Sequence, residues 1–247
     1  MPRARGHRPL ESMDIRAASR VPRWKRALDV TCVLLTMPLW MPVWIAIAIA
    51  VKLVSPGPTL FRQKRVGHMG RPFYCLKFRS MKVNADTTVH QEHLTELMTR
   101  NQVMKKLDGA DERLIPGGLF LRTAGLDELP QLINVLRGEM SLVGPRPCLE
   151  YEFKMYEAAH RKRCYTLPGL TGLWQVNGKN RTTFARMMEL DLEYVKKKSL
   201  WLDLKILART IPAILEQARD VRRRRKPISL GSKIKLDTLK EQLTKEP

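Results

Sequence analysis

Two adjacent carboxylates, Asp127 and Glu128, are the residues of this sequence whose type and setting best suit chemistry. Adjacent side chains diverge in a regular strand or helix, but at the start of a helix both can reach one pocket. Pro130 favours such a start, and the sequence predicts a short helix over 131–136 that Gly138 ends. The free amides at a helix start would favour ionised carboxylates and a bound phosphate group.

The residues around this acidic pair (Asp127 and Glu128) favour phosphate chemistry over simple helix capping. An isolated Asp-Glu sequence is most often two surface acids that cap a helix. Here Arg122 precedes the pair, Arg137 and Arg146 follow it, and two glycine-rich stretches lie nearby. One carboxylate can attack phosphorus or hold Mg²⁺, while arginines neutralise the phosphoryl oxygens. The setting therefore predicts an enzyme that acts on phosphate groups.

Several other kinds of site have no signature in this sequence. No P-loop, no strand–GxGxxG–helix unit, no HExxH and no Ser-His-Asp arrangement is present. The four cysteines show no CxxC spacing, which indicates neither a zinc site nor a disulfide framework. Aromatic residues make up 6% and do not interleave with the basic clusters, so no nucleic-acid partner is expected.

The net charge of +21, from 45 Lys and Arg against 24 Asp and Glu, implies an anionic partner. An acidic lipid surface and a phosphorylated substrate both satisfy that requirement. The run 222–226 is entirely cationic and begins a polar tail. The sequence leaves open whether this tail attracts anionic membrane lipids or is only a solvated extension.

A membrane helix is predicted from the 22 uncharged residues that run from Val30 to Val51. Such a helix reaches roughly 33 Å, enough to cross a hydrocarbon core. A cleaved signal peptide fits poorly because its apolar region would be shorter and no A-x-A site follows. A buried helix of a soluble core is disfavoured by the length and by Trp40 and Trp44.

Two features favour a re-entrant helix over a simple span. Pro38 and Pro42 each remove a backbone donor within the run, so a kink is expected there. Both flanks are basic, whereas positive charge normally marks only the cytoplasmic side. A helix that enters, bends and returns to the same face satisfies both observations. The basic flanking residues are Arg16, Arg20, Arg23, Lys25 and Arg26 before the run and Lys52, Arg62, Lys64 and Arg65 after it.

The remaining elements follow from turn signals and apolar periodicity. Extended segments 59–66 and 71–81 flank the turn 67–70 and predict a β-hairpin. Helices are expected over 85–107 and 182–199, and the prolines make 143–147 a rigid extended loop. The last helix should have an apolar face that packs in the core or lies on the membrane surface. That face comprises Trp201, Leu204, Leu207, Ile211, Ile214 and Leu215.

Five motifs, in order and in spacing, resemble the bacterial sugar transferases, the monotopic polyprenyl-phosphate phosphoglycosyl transferases. The resemblance covers roughly residues 23–218. The motifs are KRALD (25–29) with the proline-broken apolar run and KLVSPGP (52–58), KFRSM (77–81), LDELPQL (126–132), SLVGPRP (141–147) and PGLTG (168–172).

This resemblance implies a two-step reaction with Mg²⁺ as cofactor. Asp127 would attack the β-phosphorus of a nucleotide-diphosphate sugar, and polyprenyl phosphate would then take the phosphosugar. Glu128 would assist the second step or contact the metal, which Asp127 would also approach. Arg122 and Arg146 match phosphate-contacting arginines, and the matched motif KFRSM (77–81) adds Lys77 and Arg79 with less defined roles.

The resemblance also implies a location and an architecture. We expect an α+β protein at the bacterial inner membrane, with the catalytic domain on the cytoplasmic face. Relatives often carry Ser-Pro at the membrane break, whereas Met37-Pro38 stands here, so a serine hydroxyl cannot satisfy the freed carbonyl. The expected parts are a basic segment 1–22, a re-entrant membrane helix 23–54, a small irregular catalytic domain with surface amphipathic helices 55–218, and a basic tail 219–247.

Alternatives remain at this point. A non-enzymatic, membrane-anchored binding protein could recruit nucleic acid or an acidic partner through its cationic surface. A direct transfer, in a ternary complex without an aspartyl intermediate, is the second enzymatic alternative. The sequence leaves open the sugar, the nucleotide, for which uridine is the family habit, and whether the chain forms a homo-oligomer.

Overall fold

The computed structural model describes residues 20–83, 85, 88–103, 113–178 and 181–224, without the side chains of 88–90, 93 and 214–224. The predicted basic extensions therefore lie outside the described residues up to 19 and beyond 224. The same is true of positions 104–107 in the helix expected over 85–107. The last helix continues to Arg224, past the predicted start of the tail at 219.

The described chain is a mixture of helices and short strands, as the α+β prediction required. The helices are α1 (Arg23–Val54), α2 (Thr88–Thr99), α3 (Gly118–Ala124), α4 (Gln131–Arg137), α5 (Glu150–Met155), α6 (Ala158–Arg161), α7 (Leu173–Val176), α8 (Phe184–Lys197) and α9 (Leu200–Arg224). The strands are β1 (Leu60–Val66), β2 (Pro72–Phe78), β3 (Ser141–Val143) and β4 (Gly169–Thr171). Short 3₁₀ turns occupy His68–Gly70, Leu126–Glu128 and Lys162–Tyr165.

The predicted hairpin is confirmed, and helix α4 docks on its free edge. Strands β1 and β2 pair antiparallel, with Leu60 opposite Phe78 and Val66 opposite Pro72. On the other edge of β2, the fully buried Asn134 accepts from the Leu76 amide at 3.0 Å and donates to a β2 carbonyl at 2.8 Å. The Asn134 side chain thus makes hydrogen bonds to β2 that a third strand would otherwise make. These bonds fix α4, and the turn before it, beside β2.

The two glycine-rich stretches pack directly against each other. Strands β3 and β4 pair in parallel, and the Gly144 amide donates to the Thr171 carbonyl at 2.8 Å. The Gly169 amide returns a 2.8 Å bond to the Pro145 carbonyl. A Cβ on Gly144 would overlap the Leu167 carbonyl oxygen, and one on Gly169 would overlap the Gly144 amide. These glycines therefore serve backbone packing, which holds the loop after β3 rigidly.

Helix α1 contacts the rest of the protein along its whole length. Val33 and Trp40 belong to a core cluster with Val135 of α4. One or two turns before its end, Ile47 and Val51 join Phe78 of β2 in a separate cluster. The opposite face is apolar and exposed. A stretch of 18 residues within the helix has a mean hydropathy of 2.1, and 11% of that stretch is buried. The exposed side chains include Leu34, Leu35, Leu39, Val43, Ile45, Ile49 and Leu53.

The two prolines of α1 lie inside a helix that is continuous from Arg23 to Val54. Neighbouring side chains donate to carbonyls in the turn before Pro38. The Thr36 hydroxyl donates to the Cys32 carbonyl at 2.7 Å, and the Trp40 indole donates to the Val33 carbonyl at 3.1 Å. A hydroxyl is thus present one residue earlier than the Ser-Pro pattern would place it, and such back-bonding bends helices slightly.

Part of the flanking charge assigned to the membrane boundary is in fact buried. Lys25 is 0% exposed and bonds Asp203 at 2.6 Å, and Arg65 is 5% exposed. Arg26 donates to the Val135 and Leu136 carbonyls at the end of α4. These three cations therefore hold the fold together and do not mark the membrane face. The exposed flanking charges that remain are Arg20, Arg23, Lys52, Arg62 and Lys64.

The apolar face of α9 is largely solvent-exposed instead of packing in the core. Trp201 is 76% exposed, Ile211 67% and Leu204 40%, while Leu207 is half-buried. The helix instead buries the next stripe, with Asp203 and Ile206 inward. The side chains at 214 and 215, which complete the predicted face, lie outside the described residues. An exposed aromatic and aliphatic stripe of this kind suits the membrane surface alternative.

Candidate active site

The acidic pair lies in a tight turn between two short helices. Helix α3 ends at Ala124, and the next residue, Gly125, has a φ of 71° that allows the chain to reverse before the 3₁₀ turn Leu126–Glu128. The Glu128 amide donates to the Gly125 carbonyl at 3.2 Å, and α4 begins just after Pro130. The predicted helix after the pair is confirmed, with Gly138 in the left-handed region at φ 77°. The two carboxylates thus precede α4 in a turn of their own.

Asp127 and Glu128 have different surroundings although they are adjacent. Asp127 is buried, with 7% of the residue exposed. The Glu128 carboxylate accepts from the Lys77 ammonium at 2.9 Å, and both side chains remain partly exposed. The structure therefore brings together the acidic pair and Lys77, which reaches it from strand β2.

Arg146 approaches the same region from the loop after β3. Its guanidinium lies 3.4 Å from the Glu152 carboxylate. Burial lowers the pKa of Arg146, whereas the negative charges of Glu152 and Glu128 help to raise it. The raising effects are larger, so the pKa of Arg146 lies above its ordinary value. Glu128 is thus close enough for its charge to act on Arg146.

Four charged groups act electrostatically on the buried Cys75 thiol. Burial raises its pKa, and the charges of its neighbours act on it as well. These neighbours are Lys77, Arg65, Glu128 and Arg146. The hairpin, the acidic turn and the loop after β3 therefore lie close enough for their charges to act on one thiol, and the partly exposed Lys77 and Arg146 are the cations that a phosphorylated ligand would meet there.

The other two sequence-predicted cations occupy different positions. Arg122 lies in the last turn of α3, with its guanidinium 3.9 Å from the Met81 sulfur. Arg79 is buried and donates to the carbonyls of Ser55, at 2.7 Å, and Pro56. The structure thus places Arg79 on the turn that follows α1. Its phosphate contact stays a prediction, as does that of Arg122.

The carboxylates of the acidic pair fit a magnesium ion that is shared with a substrate. Among the residues that the structure describes, no group of three or more His, Cys, Asp or Glu side chains could enclose a metal. Mg²⁺ commonly binds through one or two carboxylates together with substrate phosphates and water. Asp127 and Glu128 would supply that donor set.

Sequence reasoning missed a second layer of charged residues behind the site. These residues are Arg65, Glu152, Arg163 and Asp191, and all four are buried. Arg163 pairs with Asp191 and also donates to the Tyr156 hydroxyl at 2.7 Å. Single charges in a basic protein resemble surface residues in the sequence. The sequence signal that could have revealed Arg65 is the alternation of side chains along a strand. Gln63 and Arg65 point to the same face of β1, which is the buried face of the hairpin.

Comparisons with known proteins identify relatives of this chain. The sequence profile of the bacterial sugar transferases matches residues 20–217. The exopolysaccharide production protein ExoY of Rhizobium meliloti is 40% identical over 197 residues, which cover 77% of this chain and 84% of that protein. The UDP-glucose:undecaprenyl-phosphate glucose-1-phosphate transferase of Xanthomonas campestris is 42% identical over 76% of this chain and 38% of its own length. An undecaprenyl-phosphate galactose phosphotransferase of Salmonella typhimurium is 38% identical over 78% and 40%.

Proposed function

Since the chain belongs to the bacterial sugar transferase family, we propose that it is a sugar-phosphate transferase with polyprenyl phosphate as acceptor. The donor in this proposal is a nucleotide-diphosphate sugar, with uridine as the base. One relative carries UDP-glucose in its name and others carry galactose, so the sugar itself is left open. The product, a polyprenyl-diphosphate sugar, would begin the assembly of an exopolysaccharide or a related glycoconjugate.

The reaction proceeds in two displacements at the same phosphorus. A carboxylate oxygen of Asp127 bonds to the β-phosphorus of the donor, and the bond from that phosphorus to the bridging oxygen breaks. The nucleoside monophosphate leaves with the electron pair. An oxygen of polyprenyl phosphate then bonds to the same phosphorus, and the bond to Asp127 breaks, which restores the carboxylate. Glu128 accepts a proton from the acceptor phosphate in the second step.

One observation carries this proposal: a buried carboxylate lies next to a second one that is bonded to Lys77. Two carboxylates repel a dianionic diphosphate unless cations offset the charge. Lys77 and Arg146 supply that charge from β2 and from the loop after β3. Mg²⁺, when bound at Asp127 and Glu128, would supply further neutralisation of the phosphoryl oxygens.

The site also needs access to a lipid. The packing of α1 supports a re-entrant position, in which the helix enters one leaflet and both of its ends stay on the same side of the membrane. A spanning helix would separate its ends by about 30 Å of hydrocarbon. Here Lys25 near one end and Val51 near the other are both buried against the same domain. A span would therefore carry part of that domain into the bilayer. The exposed stripe of α9 and Phe120 of α3, 65% exposed, would lie at the same interface, with anionic lipids around the remaining basic flanks.

The proposed chemistry predicts a covalent adduct. Donor nucleotide sugar, labelled in the sugar and supplied without a lipid acceptor, should leave one phosphosugar on the protein and release one nucleoside monophosphate. Peptide mass spectrometry should place the label on Asp127, and added polyprenyl phosphate should remove it. Product formation without any adduct would instead support direct transfer in a ternary complex. A screen of uridine-based and other nucleotide sugars in the same assay would identify the donor.

The re-entrant position of α1 predicts that both ends of the helix face the cytoplasm. With Cys32 replaced by alanine, the variants Arg20→Cys and Lys52→Cys should both react with a membrane-impermeant maleimide in inside-out vesicles. Neither should react in intact spheroplasts. The control variant Leu39→Cys lies in the exposed middle of the helix and should be shielded in both preparations. Labelling of one end from each side of the membrane would demonstrate a span.

A further inference from the structure

Arg65, at the end of strand β1, is a buried cation that holds the loop carrying Arg146. Its guanidinium donates to the Pro147 carbonyl at 2.6 Å, and two of its nitrogens donate to the Gln63 side-chain oxygen at 2.6 and 3.1 Å. The next amide along the strand, that of Val66, donates to the Cys148 carbonyl at 2.9 Å. The end of β1 therefore fixes the two residues that follow Arg146.

A second buried arginine fixes the loop from the opposite side. Arg163 donates to the carbonyl of Arg146 at 3.0 Å while it pairs with Asp191. The Gly169 amide holds the preceding carbonyl, that of Pro145. The backbone of the loop thus has a donor at each carbonyl from 145 to 148. The Arg146 side chain is less constrained, since its 3.4 Å separation from Glu152 is longer than the roughly 2.7–2.9 Å of a strong charged hydrogen bond.

The charges around this loop do not balance. Three guanidiniums lie here against two carboxylates. Arg163 pairs with Asp191, so Glu152 is the carboxylate that remains for Arg146 and Arg65. In the part of the chain that the structure describes, no carboxylate lies within salt-bridge distance of Arg65, whose bonded partners are neutral. Burial lowers the pKa of Arg65 and the charge of Arg146 lowers it further, while the charge of Glu152 offsets only part of this effect. Two like charges thus repel each other in a buried setting, which is costly unless an anion joins them.

We infer that Arg65 is a positioning residue of an anion site: it fixes the Arg146 loop, and its buried charge is offset when a phosphate group binds at Arg146. The inference rests on the proposed function, since the natural anion would be the diphosphate of the donor. Its location follows from the Arg146 loop, which Arg65 and Arg163 hold by hydrogen bonds. The Lys77–Glu128 pair lies close by, since its charges act on the Cys75 thiol together with those of Arg65 and Arg146. Arg65 need not touch the ligand. It acts on ligand binding by positioning the Arg146 loop and through the electrostatic field of its own charge.

The test is the binding of inorganic pyrophosphate to the full-length protein in nanodiscs of zwitterionic lipid, with EDTA present. Titration calorimetry and the shift of the unfolding temperature report binding without turnover. Arg65→Met should weaken pyrophosphate binding roughly ten-fold or more and remove most of the temperature shift. Arg65→Lys, which keeps the charge, should recover much of the affinity. The control Arg62→Met removes an exposed arginine from the other face of the same strand and should change little.

A second variant separates electrostatics from damage to the fold. Glu152→Gln removes the carboxylate that partly offsets Arg146 and Arg65, so it should tighten pyrophosphate binding several-fold. A purely structural role of this network predicts weaker binding in both Arg65→Met and Glu152→Gln. Weaker binding in Glu152→Gln, or wild-type binding in a folded Arg65→Met, would overturn the inference. Asp127→Asn should still bind pyrophosphate, so a failure of the proposed chemistry would be seen separately, as an absent adduct.

Discussion

Asp127→Asn is expected to lower turnover by more than about 10⁴-fold, because an amide cannot form the phosphosugar bond that the carboxylate forms. Glu128→Gln should lower turnover by roughly 10²-fold, the usual contribution of a positioned proton acceptor. The measurement is release of nucleoside monophosphate from donor and polyprenyl phosphate in nanodiscs. The adduct assay should show no label in Asp127→Asn and a label that persists in Glu128→Gln.

The difference between the two variants follows from their surroundings. Asp127 is buried in the turn, whereas Glu128 is partly exposed and bonded to Lys77 at 2.9 Å. Glu128→Gln keeps an oxygen for Lys77, so the fold of the turn should persist. Glu150→Gln is the control, because Glu150 is a half-exposed carboxylate bonded to Lys64 on the surface. A label on Glu128, or turnover by Asp127→Asn near the wild-type rate, would reverse the assigned roles.

The local elements that position the site could be predicted from sequence because short-range signals define them. The hairpin follows from two extended segments around 67–70, and α4 follows from the proline and glycine at its ends. The acidic pair needed its arginine neighbours and the family resemblance to be chosen over a helix cap. Its contact with Lys77 needed the structure, since 51 residues separate the two partners.

What could not be predicted are the contacts that charged groups make over long distances. Lys25 and Arg65 were assigned to exposed membrane flanks, because a cation next to an apolar run normally marks the water side. The structure buries both, and their partners lie 178 and 82 residues away. The parallel pair β3–β4 was equally hidden, since each strand has three residues and no alternation to reveal it.

The buried pair Lys25–Asp203 should give the largest effect on stability in the protein. The Lys25 ammonium donates to Asp203 at 2.6 Å, to the Val143 carbonyl at 2.8 Å and to the Tyr194 hydroxyl at 2.9 Å. All three of its protons are therefore used, and it joins α1 to α8, to α9 and to β3, the strand before the Arg146 loop. Burial and the charge of Asp203 raise the pKa of Tyr194, so the phenol stays protonated and keeps its bond to Asp203 at 2.8 Å.

Lys25→Met or Asp203→Leu alone breaks a buried ion pair by removing one partner, which typically costs about 3–5 kcal/mol of the free energy of unfolding. In a chain of this size that corresponds to a fall of the unfolding temperature by roughly 10 °C. The double variant Lys25→Met/Asp203→Leu removes both charges and should recover most of the loss, since apolar side chains can replace a buried pair. Tyr194 can then still donate to the Val143 carbonyl, 3.1 Å away. Thermal unfolding in nanodiscs, followed by circular dichroism, measures all three variants.

The contrast with a surface pair decides how this result is interpreted. Lys197→Met removes one partner of an exposed helical pair with Glu193 and should change the free energy of unfolding by less than about 1 kcal/mol. If both single variants at Lys25 and Asp203 unfold at the wild-type temperature, the pair is not desolvated in the membrane-bound protein. If the double variant is as unstable as the single ones, the hydrogen bond to Val143, and not the charge balance, holds the helix to the domain. A stable double variant with reduced turnover would show that Lys25 also positions the loop that carries Arg146.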